Sequence, residues 1–220
     1  MILFISRLIL SRLILSFVTF IYGMVRFKKL SMPFKVLAFY LLFSLLDNIA
    51  NRPVIAYLKN NYLILNIEAF GDFIFITLIY YHLLRNNLIK KVLQIALPII
   101  LLSYIYNSIF LQPFNVTFPG YAMATNKVLF IILSLLLFKQ MLAEPLEINI
   151  TKQGIFWFNI AVLLNSTTMF LNDYLVNYYA KGTVNPVVRY FWNYSDIIFN
   201  LILGIAIVVE TSENNKRVNA

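Results

Sequence analysis

The sequence predicts an all-α membrane protein, a bundle of seven transmembrane helices. Three observations carry that expectation. Of the 220 residues 61% are hydrophobic and only 12% are charged, with a mean hydropathy of +0.79. A water-soluble domain carries roughly 25% charged residues, so a water-facing surface cannot be built from this composition and the apolar surface must face lipid. Seven apolar runs each approach the about 20 residues that cross a hydrocarbon layer as a helix: residues 3–25, 33–50, 62–84, 90–111, 122–142, 154–174 and 190–210. Turn or charge signals separate them. A β-barrel, the other spanning solution, would show alternation over roughly ten residues with frequent turns; these runs are longer and apolar on most sides.

Each boundary has a local cause. The first run is interrupted by Arg7 and Arg12, and no small-x-small cleavage site lies near Tyr22–Met24, so it reads as a retained helix rather than a cleaved signal. Arg7 and Arg12 are expected to snorkel to the membrane surface. Pro33 suits a helix entry, where its missing N–H costs nothing. Asn51-Arg52-Pro53, Phe118-Pro119-Gly120, Glu144-Pro145 and Asn185-Pro186 mark turns, and Pro98 should kink the fourth helix. Residues 1–210 therefore read as one seven-helix transmembrane domain, with 211–220 as a polar cytoplasmic tail.

Lys and Arg set the orientation. The connectors after the first, third and fifth runs, together with the tail, hold eleven of the eighteen basic residues. By the positive-inside rule the N-terminus lies outside and the C-terminus in the cytoplasm. A net charge of +9 distributed in short clusters between apolar runs fits anionic headgroups, and nucleic acid is excluded as a partner. Helices 2–3 and 6–7 share a faint pattern: Asn66 and Asn193 each precede an acidic residue and then an aromatic-aliphatic run, and helices 2 and 6 end in Asp47-Asn48 and Asn172-Asp173. That suggests two parallel three-helix units joined by helix 4, an arrangement some transporters use.

Several chemistries are excluded. There is no cysteine, a single histidine (His82), no lysine in 190–210 for a retinal Schiff base, and no G-x-S-x-G or phosphate-binding glycine pattern. No enzyme, cofactor or metal is expected. His82 and most of the tyrosines suit the headgroup level, with Tyr57, Tyr62, Tyr104, Tyr106, Tyr121, Tyr178, Tyr179, Tyr190 and Trp192 forming an outer belt. Ser166-Thr167-Thr168 suits close helix packing.

Ionisable groups inside a span are costly and are functional candidates by default. Of nine acids, Asp47, Glu68, Asp72, Asp173 and Asp196 fall in the outer half or near the midplane. Glu68 and Asp72 are four apart, and Asn193, Asp196 and Asn200 follow at three and seven, so each set shares a helix face. The candidate ligand or ion site is Glu68, Asp72, Asp196, Asn200, Asn193 and Asn66. Asp47, Asn48, Asn172 and Asp173 would ring the outer rim as solvated helix ends. No lysine or arginine lies deep in runs 2 to 7, so the acids are expected either to stay protonated or to take a cation from outside. The result would be a polar vestibule, open outward and narrowing at Asp72 and Asn200.

Leu65-Asn66-Ile67 through Asp72-Phe73-Ile74-Phe75 to Tyr80-Tyr81, then basic residues and an Ile/Leu/Pro-rich helix, resembles a group of small uncharacterised seven-transmembrane-helix inner-membrane proteins of Bacteroidota-type bacteria. Trp192-Asn193 with Asn200 fits the same pattern. The group has Glu where this chain has Asp72, which keeps the carboxylate and shortens its reach. The resemblance implies an inner-membrane location and, through members similar to proteins encoded near two-component systems, a sensory or accessory role. The expected function is binding of a small cationic or polar ligand, or protons, in the outer vestibule, passed to a cytoplasmic or membrane protein partner. The alternatives are a small-solute or proton-coupled transporter and a structural subunit of a membrane complex.

Overall fold

The computed structural model describes the backbone of residues 2–111, 113, 117–143, 149–178 and 186–218, and the side chains of 10–51, 53–111, 113, 117–143, 149–172 and 191–212. Among these there is no strand. Seven long helices follow one another: α1 Ile2–Val25, α2 Met32–Leu58, α3 Tyr62–Leu83, α4 Asn87–Tyr106, α5 Gly120–Ala143, α6 Gly154–Tyr178 and α7 Pro186–Val218. Helices α2 to α7 each contain a stretch long and apolar enough to cross a membrane; the described part of α1, Leu10–Val25, is apolar but shorter.

The helix starts follow the sequence signals. Pro33 lies in the first turn of α2, Pro186 opens α7, and the Asn86 side chain caps α4 by accepting the Leu88 N–H at 2.8 Å. One expectation is corrected. Pro53 sits inside α2, which runs on to Leu58 and stops where Lys59 takes a left-handed φ of 63°. A proline forfeits one backbone hydrogen bond but is tolerated within membrane helices. The segment read as a polar tail is helical to Val218, continuous with α7; no Gly or Pro follows Gly204 to interrupt it.

Six helices close into a ring. α1 packs on α2 and α7, α2 on α3, α3 on α5, α5 on α6, and α6 on α7. α4 stands outside this ring against α3, and in it only Leu93 and Tyr104 are buried. A π-helical turn, Asn107–Leu111, extends α4; such turns often mark functional segments.

The ring interior is divided. Toward the end where α1 joins α2 it is filled by Phe34, Leu37, Leu41, Ile76, Leu137 and Phe158, each at most 2% exposed. A satisfied polar triad sits in this plug. Tyr80 and Ser134 share a hydroxyl hydrogen bond of 2.6 Å, Tyr80 donates to Asn159 Oδ1 at 2.8 Å, and Asn159 Nδ2 donates to the Ser134 carbonyl at 3.0 Å. Buried hydrogen bonds of this kind fix helix register. Close approach fixes the α6–α7 seam: a Cβ on Gly154 would stand 2.8 Å from the Ala206 carbonyl oxygen, a backbone atom that cannot step aside. Gly154→Ala is therefore expected to cost about 1–3 kcal/mol, read as a lower unfolding temperature in detergent; an unchanged temperature would contradict this packing.

Candidate functional site: a buried charge cluster

The other half of the ring holds charge. Arg12 Nη1 of α1 stands 2.8 Å from Asp196 Oδ2 of α7, and Lys127 Nζ of α5 stands 3.3 Å from Asp72 Oδ2 of α3. Tyr40 of α2 donates its hydroxyl to the second oxygen of Asp72 at 3.1 Å. Lys127 also lies 5.9 Å from the centroid of the Phe130 ring. These findings correct the expectation that no base neutralises the embedded acids. Arg12 points into the bundle rather than snorkelling to the surface, and Lys127, 6% exposed, sits within α5 rather than at its rim.

The signal for both was present. On α1, Arg12, Ser16, Thr19 and Gly23 recur at helical spacing on one face, and Ser16, Thr19 and Gly23 are buried. On α5, Gly120, Lys127, Ser134 and Met141 recur every seven residues and all four are buried. Each base belongs to a line of small or polar inward positions.

The two ion pairs are topologically equivalent. α1 and α5 are the first helices of the two three-helix segments that flank α4, and α3 and α7 are the third. Each pair joins the first helix of one segment to the third helix of the other, across the α1–α7 and α3–α5 seams. Each therefore bridges a junction between the segments rather than a contact within one.

Asp47 and Glu68 complete the cluster. Asp47 and Glu68 have no Lys or Arg partner among the described residues. Glu68 lies within electrostatic reach of Asp47, Asp72, Arg12 and Asp196, and Asp47 within reach of Asp72 and Arg12. Asp47 is 8% exposed and its Oδ1 has no hydrogen-bond partner. It was expected at the rim; because α2 runs through Pro53, Asp47 lies about three turns before the helix end. With all six groups ionised, four carboxylates face two cations. The Arg12 and Asp196 side chains keep 18% and 20% of their surface exposed.

The other expected residues divide. Asn200 is buried and donates to the Asp196 carbonyl at 2.8 Å, a bond within its own helix that steadies the turn carrying Asp196. Asn193 is buried on the same face. Asn66 donates to the Tyr62 carbonyl at 2.9 Å and lines a separate cavity. Asn48 donates to the Ser44 carbonyl, and Asn172 is buried with Nδ2 unpartnered. The side chain of Asp173 lies outside the described residues.

The separate cavity, about 160 Å³, lies between α3, the end of α4 with its π turn, and α5; Asn66, Phe70, Tyr104, Ser108 and Ala122 are among its walls. It is smaller than the about 300 Å³ at which small-molecule sites begin. Tyr104, expected in the aromatic belt, is buried here instead; it donates to the Asn126 amide oxygen and contacts the Ala122 carbonyl. Asn126 in turn donates to the Ala69 carbonyl at 2.7 Å. Tyr57, Tyr106 and Tyr121 are exposed as a belt requires, and His82 is exposed beside Tyr81. Tyr178, Tyr179 and Tyr190 have side chains outside the described residues.

No protein-family model, curated protein or solved structure matches this chain.

Proposed function

We propose that this is a sensory or accessory inner-membrane protein of seven spans that binds a proton or small cation at Asp47 and Glu68. The observation that carries the reading is the imbalance of the cluster. Two carboxyl groups sit beside two complete ion pairs, in a span region where an uncompensated charge is costly, and one of them has an oxygen with no partner. A cation reaching that position supplies the missing charge. By the positive-inside rule the basic connectors favour an orientation with the acidic half of the ring outside and the C-terminus of α7 in the cytoplasm. The apolar plug around Tyr80 favours binding over passage, since it fills the ring on the opposite side. Binding would change the electrostatic load on the Arg12–Asp196 and Lys127–Asp72 pairs and so the fit between the two segments, which a cytoplasmic or membrane partner reads. The resemblance to proteins encoded near two-component systems points the same way, as association only.

The test is calorimetric titration of purified protein in lipid nanodiscs with Na⁺ at several pH values. Binding is expected to weaken as pH falls, because a proton on Asp47 or Glu68 removes the charge that attracts the cation; cation uptake should therefore release protons. Arg12, Lys127, Tyr40, Asp72 and Asp196 face the same cluster and set its background charge. Asp47→Asn with Glu68→Gln should weaken cation affinity at least about tenfold, a loss of about 1.4 kcal/mol. Wild-type uptake of both Na⁺ and protons in that variant would overturn the reading.

A second reading, a transporter built of parallel three-helix units joined by α4, is favoured by one observation: equivalent ion pairs at both seams between the segments. Proteoliposome flux that collapses in Asp72→Asn would support it. Binding without flux would return the account to a sensor.

A further inference from the structure

We propose that the ligand of this site is a small primary ammonium compound that also carries an oxygen acceptor. The inference rests on the cation-binding reading above and narrows it to a chemical class.

Four buried polar atoms on α1 and α2 are left without partners. On α2, Asp47 Oδ1 and Asn51 Oδ1 are both buried acceptors with no donor, and they lie one turn apart on the same face. On α1, Arg12 Nε is a buried donor with no acceptor, and Ser16 Oγ, one turn further along the same face and 0% exposed, has no partner either. The two helices are antiparallel neighbours in the ring, and Gly23 of α1 sits beside Ala38 of α2. That register brings Arg12 level with the turn from Asp47 to Asn51. Arg12 and Asp47 lie within electrostatic reach of each other, and Glu68 of α3 faces both.

Buried polar atoms are almost always satisfied, so the unpartnered acceptors of α2 and the unpartnered Nε–H and hydroxyl of α1 call for a ligand that offers both donors and an acceptor. A bare metal cation satisfies only the acceptors. Moreover, no three His, Cys, Asp or Glu side chains among the described residues are grouped to hold a metal ion. A quaternary ammonium has no N–H to offer Asp47 and Asn51. A primary ammonium has three N–H donors for Asp47, Asn51 and Glu68, and its charge answers the excess carboxylates. An oxygen on the same molecule accepts from Arg12 Nε and Ser16 Oγ. The Arg12 guanidinium stays on Asp196 through Nη1 while Nε serves the ligand.

The probes are ethanolamine, ethylammonium, choline and Na⁺, titrated into the full-length protein in nanodiscs. Ethanolamine is expected to bind at least about tenfold more tightly than ethylammonium, which lacks the acceptor, and than choline, which lacks the N–H donors. Asn51→Leu and Ser16→Ala should each reduce the preference for ethanolamine over Na⁺ by about tenfold, with folding verified by thermal unfolding. Equal affinity for ethanolamine and choline would overturn the proposal. So would Na⁺ binding that depends on Asp47 and Glu68 while ethanolamine does not bind; in that case the cation reading survives and the ligand class fails. If none of the four probes and no protons bind, both fail.

Discussion

Lys127→Met is expected to lower the unfolding free energy by about 3–5 kcal/mol, the cost of leaving one partner of a buried pair behind. Lys127 and Asp72 have side chains only 8% and 15% exposed, so solvent screens little of the loss. Asp72 would then keep the Tyr40 hydroxyl as its one hydrogen-bond partner from the cluster. The double variant Lys127→Met with Asp72→Leu should recover most of the stability, because exchanging a whole buried pair for apolar groups is close to neutral. Urea or detergent unfolding followed by circular dichroism reads both values. Equal losses in the single and double variants would show that the pair is not coupled as described.

Arg12→Met should loosen the α1–α7 seam by a similar amount, with a conformational consequence. Within the ring α1 packs mainly on α7 and α2, and its ion pair to Asp196 crosses the second seam. Thr19 packs directly against Gly204, 3.3 Å from where a Cβ would stand. Thr19→Cys with Gly204→Cys is therefore expected to cross-link on oxidation, against a background with no native cysteine. Adding Arg12→Met should slow cross-linking by about tenfold as α1 leaves the seam more often. An unchanged rate would mean that apolar packing alone holds α1.

Much of the membrane architecture was legible in the sequence because the bilayer imposes it. Run length, charge scarcity and turn residues report directly on lipid exposure, and helices α2 to α7 lie on the runs they define. Helix ends were less legible. Pro53 reads as a turn in isolation, yet α2 runs on past it to Leu58, and that single extension moves Asp47 from the helix end to its interior. The acids themselves stand out, since Glu68, Asp72 and Asp196 are rare residues in apolar text. Their partners do not, because a lysine at position 127 or an arginine at position 12 looks like a surface anchor unless its helical face is traced to Ser134 or Ser16. Pairing across α1–α7 and α3–α5 depends on the closure of the ring, which no local pattern encodes. The orphan atoms on α1 and α2 are a property of that closure too.

The most direct test of the central claim is infrared difference spectroscopy of the reconstituted protein, recorded on adding cation at constant pH. The account predicts a carboxyl difference band that shrinks in Asp47→Asn and again in Glu68→Gln, and that persists when Asp196 and Arg12 are exchanged for each other. A band that keeps its full amplitude in both neutralised variants would contradict cation binding at Asp47 and Glu68.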